Sequence, residues 1–181
     1  LLGVLTFLSA IVLLIIGFLY NRRFKKSGLL GNLMVSFSVG MTFIYGAISV
    51  ELPFNKVALV FALIAALVDL GEEIAADAMD MQGDKLIGSN SIAIVYGTKS
   101  ALRISSIIFS IVIVLSIIPF VLGWFPKIYL IPILIMDVFI AYNTLQLRNT
   151  DDAARRKHIR WIYLGATFGL MIFIFMRFLG V

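Results

Sequence analysis

Cysteine is absent from the 181 residues, which excludes a disulfide framework, a thiolate metal site and thiol catalysis together. The single histidine, His158, has no partner at ligand spacing and so offers no zinc pattern. Charge is scarce: Asp, Glu, Lys and Arg make up 14% of the chain, where a soluble domain carries about 25%. Hydrophobic residues make up 61% against roughly 45–50% in soluble domains, so the chain has no polar shell with which to cover itself. Gly/Ser linkers, low-complexity tracts and evident repeats are missing too. Residues 1–181 therefore read as a single transmembrane domain, one continuous bundle in lipid. A net charge of +5 does not point to nucleic acid in so apolar a chain. Its basic residues mark cytoplasmic loops and contact anionic lipid headgroups.

Crossing a hydrocarbon core about 30 Å thick takes about 20 apolar residues in a helix. Six such runs are present, approximately at 3–20, 33–50, 57–76, 103–122, 128–147 and 161–179. Backbone polar groups cannot go unpaired in lipid, and the short alternating segments of a barrel are absent, so the fold class is all-α, a polytopic helix bundle. The first run is no cleavable signal, because its basic cluster Arg22, Arg23, Lys25 and Lys26 trails it. Lys and Arg fall unevenly. The segments after helices one, three and five hold Arg22, Arg23, Lys25, Lys26, Lys85, Lys99, Arg103, Arg148, Arg155, Arg156, Lys157 and Arg160, twelve in all; only Lys56, Lys127 and Arg177 lie opposite. The 21–32, 78–102 and 148–160 loops are then cytoplasmic and both termini outside. A chain starting at Leu1 on the outer side predicts an odd number of preceding helices.

The informative stretch is Asp69-Leu-Gly-Glu-Glu-Ile-Ala-Ala-Asp77-Ala-Met-Asp80-Met-Gln-Gly-Asp84. At about 100° per residue, Asp69, Glu73, Asp77, Asp80 and Asp84 fall within about 80° of one another, a single acidic stripe on one helix. A carboxylate at mid-membrane costs on the order of 2.5–3.5 kcal/mol, so an aligned set calls for compensating cations or water. Three carboxylates at i, i+3 and i+7 suit Mg²⁺, a hard cation held by a few carboxylates while phosphate oxygens and water complete its shell. Asp77, Asp80 and Asp84 are the candidate metal ligands, with a metal-bridged diphosphate as ligand; the alternative is a solvated helix end. Asp69 and Glu73 stand between a role beside the metal and a buried pair bonded to neighbouring helices.

A second cluster, Tyr20-Asn-Arg-Arg-Phe-Lys25-Lys26-Ser-Gly-Leu-Leu-Gly-Asn32, lies in a loop on the same side. A phenol and a flexible ammonium beside metal carboxylates can bind phosphate oxygens and stabilise a departing diphosphate; the alternative is four ordinary positive-inside residues. Catalytic candidates are Asp77, Asp80 and Lys25; substrate contacts are assigned to Tyr20, Lys25, Asn32, Tyr45 and Glu73. The 148–160 stretch reads as an orienting loop that meets lipid headgroups. Asp137, in mid-membrane, is either a buried hydrogen-bonded acid or a residue supporting the site. The aromatic residues Phe37, Phe43, Tyr45, Phe61, Tyr142 and Trp161 read as packing or interfacial, with some able to shield a carbocation.

At these residues the chain resembles the UbiA superfamily of intramembrane prenyltransferases. Asp77, Asp80 and Asp84 match the family's second aspartate-rich motif, D-x-x-D-x-x-x-D. The run Gly83-Asp84-Lys-Leu-Ile-Gly88-Ser-Asn-Ser91-Ile-Ala-Ile-Val-Tyr-Gly97 is similar to its post-motif loop, and Tyr20, Lys25 and Gly31-Asn32 to its tyrosine–lysine loop. The wording is most similar to the family's archaeal ether-lipid branch. The resemblance implies a nine-helix fold of which the later two-thirds are present, with three N-terminal helices and the first motif, N-x-x-x-D-x-x-x-D, missing. It also implies an Mg²⁺-dependent transfer of a prenyl group, geranylgeranyl in that branch, from its diphosphate to a lipid acceptor, geranylgeranylglyceryl phosphate. Two Mg²⁺ ions would bridge carboxylates and diphosphate. The chain departs from the family at Glu72, where Arg is common, and at Ala76, where Lys is common. An aromatic acceptor such as a quinone or haem precursor, a cation transporter using the acidic stripe, and an inactive scaffold are the competing functions.

Overall fold

A computed structural model describes residues 3–180, and every regular element among them is helical. The elements are α1 (Val4–Leu19), α2 (Leu29–Ser49), α3 (Lys56–Met79), α4 (Met81–Leu86), α5 (Ile92–Tyr96), α6 (Thr98–Val121), α7 (Leu130–Asn149) and α8 (Asp152–Leu179). A π-helical turn, Tyr20–Phe24, continues α1, and a 3₁₀ turn, Lys127–Tyr129, leads into α7. Five of the long helices are long and apolar enough to cross a membrane. The sixth, α3, has 24 residues but carries Asp69, Glu72, Glu73 and Asp77 in its second half.

The polarity is that of a lipid-facing bundle. Large apolar side chains such as Leu14 and Val138 are 74% and 69% exposed, while Ser105 and Ser36 are 0% and 3% exposed. Between helices in lipid there is little hydrophobic drive, so small residues and hydrogen bonds hold the contacts. α3 is the central element, packed against α2, α6 and α8, with α7 joining α6 to α8 and α1 lying on α2. Two close approaches set this. A Cβ on Gly40 of α2 would sit 2.7 Å from the Ala62 carbonyl oxygen of α3, and one on Gly71 would sit 2.8 Å from the Phe109 ring of α6. At the second crossing the Ser105 hydroxyl donates to the Gly71 carbonyl at 2.7 Å.

α2 and α6 begin at Leu29 and Thr98 rather than near 33 and 103, and two further differences from the sequence reading matter for function. α8 starts at Asp152 rather than near 161, because Asp151 caps it by accepting from the Ala154 N–H at 2.9 Å. A hydropathy window cannot see the polar turns that carry a spanning helix past the interface, so Arg155, Arg156, Lys157 and His158 lie on a helix and not in a loop. The acidic stripe, expected on one continuous helix, breaks after Met79. Asp80 adopts φ −110°, ψ 14°, and Asp84 follows on the separate α4. The run Met81-Gln-Gly-Asp84 has no apolar face to pack into the bundle, so α3 ends where its burial ends and the run turns off as the short, largely exposed α4.

Candidate functional site

The α3–α4 break gathers side chains from three other segments at one end of the bundle. α2 runs antiparallel to α3 and presents Asn32 and Ser36, one helical turn apart. The Asn32 amide donates to Asp77 Oδ2 at 2.9 Å, and the Ser36 hydroxyl donates to Asp69 Oδ2 at 2.8 Å. Both bonds satisfy a carboxylate that would be costly alone. The sequence alone does not single out Ser36; its signal is its spacing of four from Asn32. Between the two bonded acids stand Glu72 and Glu73. One carboxylate oxygen from each of Asp69, Glu72 and Glu73 lies within 4.8 Å of the others.

Beyond Met79 the remaining acids have other surroundings. Asp80 is exposed and paired with Arg156, whose Nη1 stands 2.7 Å from its Oδ1. Asp84 Oδ2 is buried and has no hydrogen-bond partner among the described residues. Burial and the neighbouring Asp80 both push the Asp84 carboxyl above the ordinary carboxylate range.

The basic loop docks beside these acids. The Asn90 N–H donates to the Lys26 carbonyl at 3.1 Å. Gly28 has φ +64°, and a Cβ there would meet the Asn90 carbonyl oxygen at 2.0 Å, so only glycine permits the contact. The Lys25 N–H donates to the Tyr20 carbonyl at 2.8 Å, and the side chain is exposed. The Tyr20 phenol lies within electrostatic reach of Glu73, Asp77 and Asp69. Tyr20, Asn32, Glu73, Asp77, Asp80 and Asp84 thus belong to one end of the bundle, with Lys25 on its rim. Tyr45 is 13 residues past Asn32 on α2, about 20 Å along the axis, and stands apart from the acids.

Deeper in the bundle the acids give way to an apolar cavity of about 180 Å³ walled by Phe43, Phe61, Phe120 and Phe125, with Asp69 and Ser116 among its few polar contacts. Asp69 is therefore shared by the acidic end and the cavity. Asp137 does not join it: buried between α6 and α7, its Oδ2 accepts from the Ser116 hydroxyl at 2.7 Å.

The UbiA prenyltransferase family matches residues 1–165. The chain belongs to it. Individual relatives narrow the neighbourhood. The digeranylgeranylglyceryl phosphate synthase of Hyperthermus butylicus is 34% identical over 149 residues, which cover 75% of this chain and 49% of that protein. The enzyme of the same name from Thermococcus sibiricus is 35% identical over 158 residues, covering 82% and 53%. A solved structure, reported as digeranylgeranylglyceryl phosphate synthase in membranes, superposes with a TM-score of 0.84 at 26% identity, over 96% of this chain and 61% of that one. The chain spans about half the length of the curated relatives it matches. Family and apolar helices together make it an integral membrane protein.

The residues fit the divalent cation that the family resemblance implies. Asp77, Asp80 and Asp84 offer carboxylate oxygens, the ligand type of a hard cation, while the three acids whose oxygens already lie within 4.8 Å of one another are Asp69, Glu72 and Glu73. The unpartnered, buried Asp84 Oδ2 is an acceptor left free for one.

Proposed function

We propose that this chain carries the metal- and diphosphate-binding part of an intramembrane prenyltransferase that moves a geranylgeranyl group from its diphosphate to geranylgeranylglyceryl phosphate. The observation that carries the reading is continuity: the acidic α3–α4 end and the Phe-walled cavity share Asp69, so a ligand with a charged head and an isoprenoid tail spans both.

Asp77, Asp80 and Asp84 would hold Mg²⁺, which when bound supplies positive charge against the diphosphate oxygens and makes diphosphate a better leaving group. Asn32 orients Asp77 through its amide, and Tyr20 and Lys25 offer the diphosphate a phenol and a mobile ammonium. Glu73 lies between head and tail, beside Asp69. Phe43, Phe61, Phe120 and Phe125 receive the apolar chain, and their π faces tolerate positive charge developing on allylic carbon while keeping water away. Tyr45 falls outside this reading. The acidic end faces the cytoplasm, because twelve of the fifteen Lys and Arg residues lie on that side; there the loops also meet anionic headgroups. Names of the relatives support the glycerol-lipid acceptor over an aromatic one.

The test is transfer by the full-length protein in nanodiscs, with Mg²⁺, radiolabelled geranylgeranyl diphosphate and separate acceptors; residues 1–181 alone should not sustain it. Label should move to geranylgeranylglyceryl phosphate and should stop when EDTA is added. Transfer to a quinone precursor instead, or label movement indifferent to EDTA, would overturn the reading.

A further inference from the structure

Adjacent arginines in the first turns of α8 have different work. Arg155 is engaged locally: its Nη1 pairs with Asp152 at 2.6 Å and its Nε donates to the Leu147 carbonyl at 3.0 Å. With the Asp151 cap, these contacts clamp the start of α8 onto the end of α7. Arg156 is thereby held on a fixed platform and reaches across the end of the bundle, to residues 76 and 77 positions earlier in the chain. Its Nη1 donates to Asp80 Oδ1 at 2.7 Å and its Nη2 to the Met79 carbonyl. That carbonyl lies at the C-terminus of α3, where the negative end of the helix dipole gathers. One guanidinium therefore serves two acceptors at the point where the acids pass from α3 to α4.

The pair is open to water, with side chains 54% and 61% exposed. An exposed ion pair is worth no more than about fivefold in an equilibrium constant, so the contact is exchangeable. Among the described residues, no other acidic side chain forms a salt bridge with a residue far from it in sequence.

Resting on the proposed reading of Asp77, Asp80 and Asp84 as cation ligands, we propose that Arg156 is a positioning residue for that site. It is a resident counter-ion that keeps the Asp80 carboxylate aimed at the helix break while the site is empty of metal. A divalent cation has to displace it from Asp80, or share that carboxylate with it against like-charge repulsion. Arg156 therefore tempers the metal affinity of the site, and it does so through Asp80 alone.

Mn²⁺ binding followed by the EPR signal of the free ion tests this, with the protein in nanodiscs of zwitterionic lipid and no substrate present. Arg156→Gln should bind Mn²⁺ about two- to fivefold more tightly than wild type, and Arg156→Lys, which keeps the charge, should stay within about twofold. In an Asp80→Asn background, Arg156→Gln should add nothing. If Arg156→Gln unfolds in detergent, Arg156→Met keeps the apolar stem and should show the same rise. Unchanged or weaker Mn²⁺ binding in the uncharged variant, at an unchanged Tm, would overturn the role of Arg156. So would a rise that persists without Asp80. A wild-type protein that binds no Mn²⁺, or binds it equally after Asp77→Asn, would sink the metal reading and this role with it. Loss of binding in Asp77→Asn beside no effect of Arg156→Gln would sink the role of Arg156 alone.

Discussion

At each end of the bundle a cation from α8 leans on α3 or its neighbours, but the partners differ in kind. At the acidic end Arg156 pairs with the exposed carboxylate of Asp80. At the opposite end Arg177 lies over the rings of Phe125 and Tyr129, 6.0 and 5.6 Å from their centroids, and Lys56 lies 4.8 Å from that of Trp124. Behind Arg177 the rings of Phe61, Phe125, Tyr129 and Phe173 pack edge to face or tilted, with Phe125 and Phe173 centroids 5.1 Å apart. A carboxylate in water exchanges partners at little cost. An aromatic cluster pinned by a cation is apolar, directional and offers nothing to a metal or a phosphate. The first end is built to be rewired by ligand, and the second to close the floor of the cavity.

The largest effect that would sharpen this contrast is structural. Phe173→Ala, at a site 5% exposed in the middle of the ring cluster, should cost about 3–5 kcal/mol of stability and lower the Tm in detergent. Mn²⁺ affinity of the folded fraction should be unchanged; a parallel loss of metal binding would break the division between the two ends. Next, Asp77→Ala and Asp80→Ala should each lower prenyl transfer on the order of 100-fold with little change in Tm, because each deletes a proposed cation ligand. Asp84→Ala should be milder, since α4 lies at the water-exposed end. Wild-type turnover by the Asp77/Asp80 double variant at saturating Mg²⁺ would remove the metal assignment.

Within the basic loop the contrast is finer. Lys25→Ala should raise the KM for prenyl diphosphate about tenfold, and Lys26→Ala should leave it near wild type. Both lysines are exposed, and their main-chain bonds to Tyr20 and Asn90 survive an alanine; the difference expected rests on the Tyr20–Lys25 spacing that the family's loop resembles. Equal effects would reduce the loop to a positively charged rim. The smallest change belongs to the far end: Arg177→Gln should lower stability by about 0.5–1 kcal/mol through lost cation–π contacts, with the KM for prenyl diphosphate unmoved. A shift in that KM would mean the aromatic floor reaches the diphosphate.

Much of this was legible before any coordinates. Apolar runs of spanning length and an excess of aliphatic residues leave a chain no choice but helices in lipid, because backbone groups have no other partner there. The acids at 69, 73 and 77 share a face by helical periodicity alone, and the structure keeps them on α3. The motif points to Asn32, and in the structure its amide donates to Asp77. The start of α8 was also within reach, since Asp151 ahead of Asp152-Ala-Ala-Arg155 is a capping signal that a hydropathy window overrides.

Other features depend on residues far apart in sequence. Periodicity treats Asp80 and Asp84 as further turns of one helix, and the loss of an apolar face after Met79 does not by itself tell where α3 stops and α4 begins. Whether Arg156 faces lipid headgroups or Asp80 depends on how α8 crosses α3, a packing angle set by side chains along the whole contact. The docking of Gly28 on Asn90 and the sharing of Asp69 between acids and cavity are likewise meetings of distant segments. Composition and period act along the chain, so the sequence alone determined the helices, the lipid environment and the acidic face. Tertiary structure decided which charges meet, because an ion pair or a cavity wall exists only once separate helices are brought within a few ångströms of each other.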